Sequence, residues 1–333
     1  MSFFSRRTKR RKQSAALPRK RVNFKTWRRL TEKGGCFLLP LIVLMAFFLG
    51  YHFWQEVKHS IWDGKSQLTL AFEQENTLGY IKINPEFEEV TIFTMPPNAM
   101  VALAYGYEEY RSDKVKMLAK QENIDFGKFL AVSMTQFLGS TTDGYITDAN
   151  GRVGDLKTLV LQSFYSGAKT NLTTWDLLRL FSYVINIRSN GVEVISFADT
   201  KAFQLETLPD GSEVYVPDLN LLDEVILREL ANPSFLNQNL TWEVFNGTNH
   251  FGLANSVKRI VANSGFDVIG VRQAQKSYTN SFISVRSLES SASLQKFANY
   301  FSLPIETKSG LHDRADVVLV VGEDFWNKYY RRK

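Results

Sequence analysis

Residues 35–54, GCFLLPLIVLMAFFLGYHFW, contain no Asp, Glu, Lys or Arg. At ~1.5 Å per residue a helix of this length crosses a bilayer core of ~30 Å. The flanks set the expected orientation. Residues 1–33 carry thirteen Lys or Arg and a single acid, Glu32. Positive charge is retained on the cytoplasmic side, so the N-terminus is expected inside and residues 55–333 outside. A cleaved signal peptide would have a shorter apolar region and a small-residue cleavage site. Here Tyr51, His52, Phe53 and Trp54 close the run, which suits an interfacial aromatic belt. A single-pass signal anchor is the expectation. Pro40 falls in the first turns, where proline costs least.

The formal charge of +6 belongs to the tail. Beyond residue 33, 27 Lys+Arg face 33 Asp+Glu, a net charge near −6. A disordered basic tail over 1–34 fits topology and attraction to anionic lipids, each basic residue contributing about 1 kcal/mol near the surface. Nucleic-acid binding is not expected, because a short tail lacks a folded recognition element. The only cysteine, Cys36, lies at the membrane boundary, so the outer part has neither disulfide nor thiol nucleophile. The four histidines are scattered, and no metal site is expected. About 279 residues suffice for two domains with ordinary cores.

Residues 66–72, 78–84 and 88–95 read as strands, with Pro85 at a turn and Pro96-Pro97-Asn98 as a break. A short apolar run follows at Met100–Ala104, then a helix over 112–122. Residues 125–138 show helical apolar spacing with Gly139 as a stop, and Asp143 to Ile146 enters a strand. Helices are expected over 155–167 and 173–187, the second capped at Thr173. Residues 191–216 read as extended around a Pro209-Asp210-Gly211 turn, and 218–230 as an amphipathic helix. Asn232-Pro233 and the polar run to Asn239 mark a boundary. Beyond it, strand, Asn246-Gly247-Thr248 turn, helix 251–264, Gly265 and strand 266–272 are followed by strand 281–285, helix 290–301 and a buried strand 315–321. This order argues for a small α/β sandwich.

The segment WEVFNGTNHFGLANSVKRIVANSGFDVIGV, with Thr279–Val285 and ADVVLVVGEDF, resembles the LytR C-terminal domain over residues 239–326. Residues 66–231 resemble the LytR-CpsA-Psr catalytic domain. The order of anchor, strands and Pro-containing corner matches, as do Leu138, Gly139, Asp143, Gly144 and Tyr145 and the later Leu-Pro-Asp-Gly turn. The resemblance implies an α/β fold: an N-terminal transmembrane helix, an α/β/α transferase-like domain, then the small sandwich. It also implies an enzyme that moves a polyprenyl-pyrophosphate-linked glycopolymer onto peptidoglycan. In that family arginines hold the pyrophosphate, acids assist Mg²⁺ and an apolar cavity houses the lipid.

The family's Arg-x-Asp-Thr falls on Gln74-Glu75-Asn76-Thr77, and its Pro-Arg-Asp corner on Pro96-Pro97-Asn98, so both arginines and both aspartates become neutral. A pyrophosphate needs always-charged bidentate donors, and Mg²⁺ prefers carboxylate oxygens. Arg111, Asp113 and Lys114 form the basic cluster that could still meet a phosphate, though they equally fit a solvated loop. Asn246, Gly247 and Thr248 could bind a ligand through turn amides, though such turns are usually structural. The sequons at Asn171, Asn239 and Asn246 matter only in a glycosylating pathway. The sequence favours a cell-envelope-anchored, non-catalytic protein that binds envelope glycopolymer or protein partners, with no cofactor. The alternative is an active phosphotransferase with relocated charges, dependent on Arg111 and using Mg²⁺.

Overall fold

The computed structural model describes residues 42–165, 167–236, 240–286, 291–308, 310–311 and 314–332. The basic tail, residues 35–41 of the apolar stretch and Asn239 lie outside them. Residues 1–55 and Glu56–Lys333 form separate units. In the first, the described residues belong to α1 (residues 42–58), whose apolar side chains from Ile42 to Trp54 are exposed. Among the described residues no helix is long and apolar enough to cross a membrane.

The second unit begins with a stem pinned onto a helix. Asp176 is fully buried and accepts hydrogen bonds from Ser60 Oγ (2.5 Å), Ile61 N (3.1 Å) and Trp62 N (3.1 Å). The same carboxylate closes a capping box with Thr173. Next come β1 (Leu68–Gln74), β2 (Thr77–Asn84), β3 (Glu89–Thr94), β4 (Met100–Ala102), β5 (Glu109–Arg111), α2 (Val115–Gln121), α3 (Phe126–Leu138), β6 (Gly144–Ala149), α4 (Leu156–Tyr165), β7 (Lys169–Thr170), α5 (Thr174–Asn186), β8 (Val192–Ser196), β9 (Phe203–Thr207), β10 (Glu213–Pro217) and α6 (Leu219–Leu230). Six strands make one sheet in the order β7-β6-β1-β2-β3-β8. β1 to β3 are an antiparallel meander, while β6 runs parallel to β1 and β8 parallel to β3.

Alternate residues of a strand face opposite ways, and both faces of this sheet are covered. Ala71, Tyr80 and Phe93 join Phe129, Phe137 and Leu222 of α3 and α6 in one core. Leu70, Phe72, Ile81 and Ile92 join Leu159 and Leu180 of α4 and α5 in another. Each such buried side chain contributes ~2 kcal/mol. The segment 191–216, expected to be extended around a Pro209-Asp210-Gly211 turn, is divided: β8 enters the sheet, whereas β9 and β10 make a separate hairpin across that turn.

After α7 (Pro233–Leu236) come β11 (Thr241–Asn246), α8 (Leu253–Asn263), β12 (Asp267–Gln273), β13 (Phe282–Val285), α9 (Ala292–Phe301), β14 (Ile305–Glu306), β15 (Val317–Val321) and α10 (Glu323–Tyr329). The second sheet has the order β12-β11-β15-β13-β14. Its core centres on fully buried Trp242, with Phe266 and Phe297 rings at 4.5 and 5.5 Å.

The two sheets' layers meet through polar contacts. Arg259 Nε donates to both oxygens of Asp223 (2.6 and 2.8 Å), and Arg259 Nη1 donates to the Gln136 carbonyl (3.1 Å). Asn263 Nδ2 donates to Asp223 Oδ1 (2.7 Å) and the Leu138 carbonyl (3.2 Å), at the end of α3 where Gly139 is left-handed. Residues 329–332 form a strap. Tyr105 N (3.1 Å) and Gln136 Nε2 (2.7 Å) donate to the Tyr329 carbonyl, and Arg332 pairs with Glu122 (3.2 Å) over the Tyr107 ring.

Gly79 shows how tightly β2 sits. A Cβ there would stand 2.2 Å from the Phe72 ring and 2.5 Å from the Phe93 carbonyl oxygen. Gly79→Ala should lower stability by about 2–3 kcal/mol through overpacking, read as a lower urea midpoint.

Candidate functional site

The carboxyl ends of β1, β3, β6 and β8 share one end of the first sheet, which is where open α/β sheets place ligands. Both segments singled out by sequence arrive there. Gln74 and Thr77 pair across a two-residue turn in which Glu75 (φ 51°) and Asn76 (φ 62°) are both left-handed, as a type I′ turn requires. Thr94 pairs with Gly79, and Met95 N donates to the Leu78 carbonyl (2.9 Å), which brings the Pro96-Pro97-Asn98 corner alongside.

The neutral side chains at these positions are used internally. Gln74 Nε2 donates to the Asn150 carbonyl (3.2 Å) and Gln74 Oε1 accepts from Gly154 N (3.2 Å). Asn98 Nδ2 donates to the Glu213 carbonyl (2.6 Å). Arg111, Asp113 and Lys114 do lie beside the corner: Asp113 N donates to the Pro97 carbonyl (3.0 Å), and Ser112 Oγ to that of Pro96 (2.6 Å). Arg111 grips Asp113 with Nε and Nη2, each at 3.2 Å, and Lys114 pairs with the same carboxylate at 3.2 Å. Asp113 thus neutralises much of the charge these two bases could offer an anion.

A second cluster at this end was not singled out from the sequence. Glu73 is 2% exposed; its Oε1 pairs with Lys116 (2.9 Å) and its Oε2 accepts from Asp148 N (2.8 Å). Lys116 also meets Asp148 (2.8 Å), which pairs with Lys169 (3.1 Å). Burial works against the charge on Lys116, but hydrogen bonds to Asp148 and Glu73 outweigh it and hold its pKa above the ordinary value. Burial would raise the Asp148 carboxyl, yet Lys116 and Lys169 hold it below the usual range. The available signal was a charged residue inside an apolar strand, LTLAFEQ, because a buried charge requires a partner. Both carboxylates are committed to ammonium groups, and among the described residues no group of three potential metal ligands occurs.

The turn in the second sheet is internally consumed. Asn246 Oδ1 accepts from Thr248 N (3.0 Å) and Thr248 Oγ1 (2.8 Å), and Gly247 N donates to the Val321 carbonyl (2.8 Å). A Cβ on Gly247 would lie 2.8 Å from that carbonyl oxygen, so this close approach requires glycine. Of the expected ligand donors, the Gly247 amide therefore ties β11 to β15, and the Thr248 amide is held by the Asn246 side chain within the turn.

Residues 239–325 match the family model of the LytR cell envelope-related transcriptional attenuator. This segment is similar to the LytR C-terminal domain. Among solved structures, TagT of Bacillus subtilis is similar at 12% identity and a TM-score of 0.38, covering 49% of this chain and 89% of that one. TagT with bound octaprenyl pyrophosphate, described as a LytR-CPS2A-psr family protein, gives 12%, 0.35, 49% and 88%. A transcriptional regulator from Enterococcus faecalis gives 9%, 0.38, 61% and 89%. These likenesses are too distant to carry an argument about activity. No curated protein matches the sequence.

Lys116→Ala should strand the buried Glu73 carboxylate. With two-fifths of the lysine exposed, the expected loss is about 1–2 kcal/mol, measured by urea unfolding at pH 7. Asp148 contributes stability that is fully present above its unfolded pKa of about 3.9 and lost as pH falls through its depressed folded value. Asp148→Asn should flatten the fall in melting temperature between pH 5 and pH 3.

Proposed function

We propose that this chain is a cell-envelope-anchored protein that binds envelope glycopolymer or protein partners outside the membrane without turning them over. One observation carries the reading. At the sheet end where the resemblance calls for arginines and aspartates, Gln74, Asn76, Pro97 and Asn98 offer no charge, and the charged groups nearby are paired with one another. Stabilising charge that develops on phosphoryl oxygens needs unspent cations or a metal. The two-residue turn at Glu75-Asn76 supports the same reading, because its backbone leaves no loop to wrap a pyrophosphate.

The exposed apolar surface of α1 and the basic tail support a single-pass anchor, N-terminus inside, with anionic lipids around the tail. In this reading residues 66–231 are a degenerate transferase-like domain and residues 239–326 the LytR C-terminal domain.

The test uses the full chain in detergent, a polyprenyl-pyrophosphate-linked saccharide, peptidoglycan and Mg²⁺. Release of polyprenyl pyrophosphate should stay at the protein-free level. Turnover that disappears in Arg111→Ala would establish the transferase instead.

A further inference from the structure

Helix α9 has two unlike faces. Leu294, Phe297, Ala298 and Phe301 are buried in the core of the second sheet. Ala292, Gln295, Lys296 and Asn299, at i, i+3, i+4 and i+7, form the other face. That face walls a cavity of about 990 Å³. The stem lines it with Ser60, Asp63 and Ser66, and the entry to β6 lines it with Thr142 and Asp143. Phe235, Tyr300 and Tyr329 supply aromatic walls. The pocket is open to solvent on one side, and its volume is at the upper end for ligand sites.

The lining favours one chemistry. Gln295 Nε2 donates to Asn299 Oδ1 (3.0 Å), which leaves the Asn299 amide nitrogen and the Gln295 amide oxygen for another partner. Among the described residues Lys296 is the one cation lining the cavity, and its Nζ donates to the Gln67 carbonyl (2.8 Å). Two carboxylates oppose it. Asp63 accepts from Ser66 N (2.7 Å), Ser66 Oγ (2.9 Å) and Lys65 N (2.9 Å). Asp143 accepts from Thr69 N (2.8 Å) and Thr69 Oγ1 (2.7 Å). An anionic ligand would meet two carboxylates and a single ammonium that already stands among them. A neutral polyhydroxylated ligand would meet acceptors for its hydroxyls, amides for its edges and tyrosine rings for its apolar faces. A second pocket of about 20 Å³ adjoins it behind Asp143, Lys296 and Tyr300. There the Gln67 amide oxygen is enclosed without a hydrogen-bond partner, so the polar lining continues inward.

We infer that this cavity binds a neutral saccharide. It lies at the start of β1, about 20 Å along the strand from Gln74, so it is separate from the sheet end discussed above and does not depend on whether that end is catalytic.

The test is titration of the full chain in detergent with chitotetraose and cellotetraose, and with poly(glycerol phosphate) as the anionic counterpart, followed by calorimetry and ligand-observed NMR. At least one neutral oligosaccharide should bind. Ala292→Trp, which fills the cavity from an exposed position, and the pair Gln295→Ala with Asn299→Ala should each weaken binding at least tenfold at an unchanged urea midpoint. Failure of both neutral probes, affinity unaffected by the variants, or variant-sensitive binding of the phosphate polymer in preference would each overturn the inference. Turnover of a polyprenyl pyrophosphate that Ala292→Trp leaves intact would count against the non-catalytic reading only.

Discussion

Complete burial of β1 is the constraint on which the first domain depends. All seven of its residues are buried, with β6 parallel on one side and β2 antiparallel on the other. A strand in that position cannot send a polar side chain to solvent, so each of its polar residues demands a fixed partner. Thr69 at its start fixes Asp143 at the mouth of the cavity. Glu73 at its end fixes Lys116 and the amide of Asp148. Two chemically different places on the molecule are therefore positioned by opposite ends of one strand.

The groups around the start of β1 feel the same low dielectric. Burial is the main cause that raises the Asp143 carboxyl, with Lys296 and Thr69 pulling the other way. Burial likewise pushes the Tyr80 hydroxyl up to about 12, against hydrogen bonds with Ser140 and Thr69. Tyr300 bridges the two sheets' layers here: its hydroxyl accepts from Thr142 N (2.8 Å) and donates to the Thr142 carbonyl (2.9 Å). This seam is polar, directional and largely satisfied, which fixes how α9 sits against β6 more specifically than apolar contact would.

Local chemistry was readable from the sequence, and long-range pairing was not. The expected strands 66–72, 78–84 and 88–95 correspond to β1, β2 and β3 within a few residues, because turn residues separate short β-rich runs. Thr173 caps α5, Gly139 ends α3, and Gly265 (φ 110°) follows α8, each for a reason confined to one turn of backbone. The short strands β5, β7 and β14 and the helix α10 carry too little periodicity to announce themselves. Lys116 meets Glu73 across 43 positions, and Lys296 meets Gln67 across 229. Only topology brings such residues together, so neither the paired charges nor the cavity wall could be read from spacing. Arg111 was legible as a base near a corner, but its bidentate grip on Asp113 depends on the path of β5.

The C-terminal strap has a consequence for how the molecule is made. Tyr105 and Gln136 wait for the carbonyl of Tyr329, and Tyr107 and Glu122 wait for Arg332, contacts that span about 190 to 225 positions of sequence. A chain emerging from the ribosome exposes that edge of α2 and α3 throughout synthesis of everything downstream. The first domain can assemble its sheet early, but its edge is sealed only when residues 329–332 arrive. Arrival of residues 329–332, rather than completion of either sheet, is the event that closes this edge.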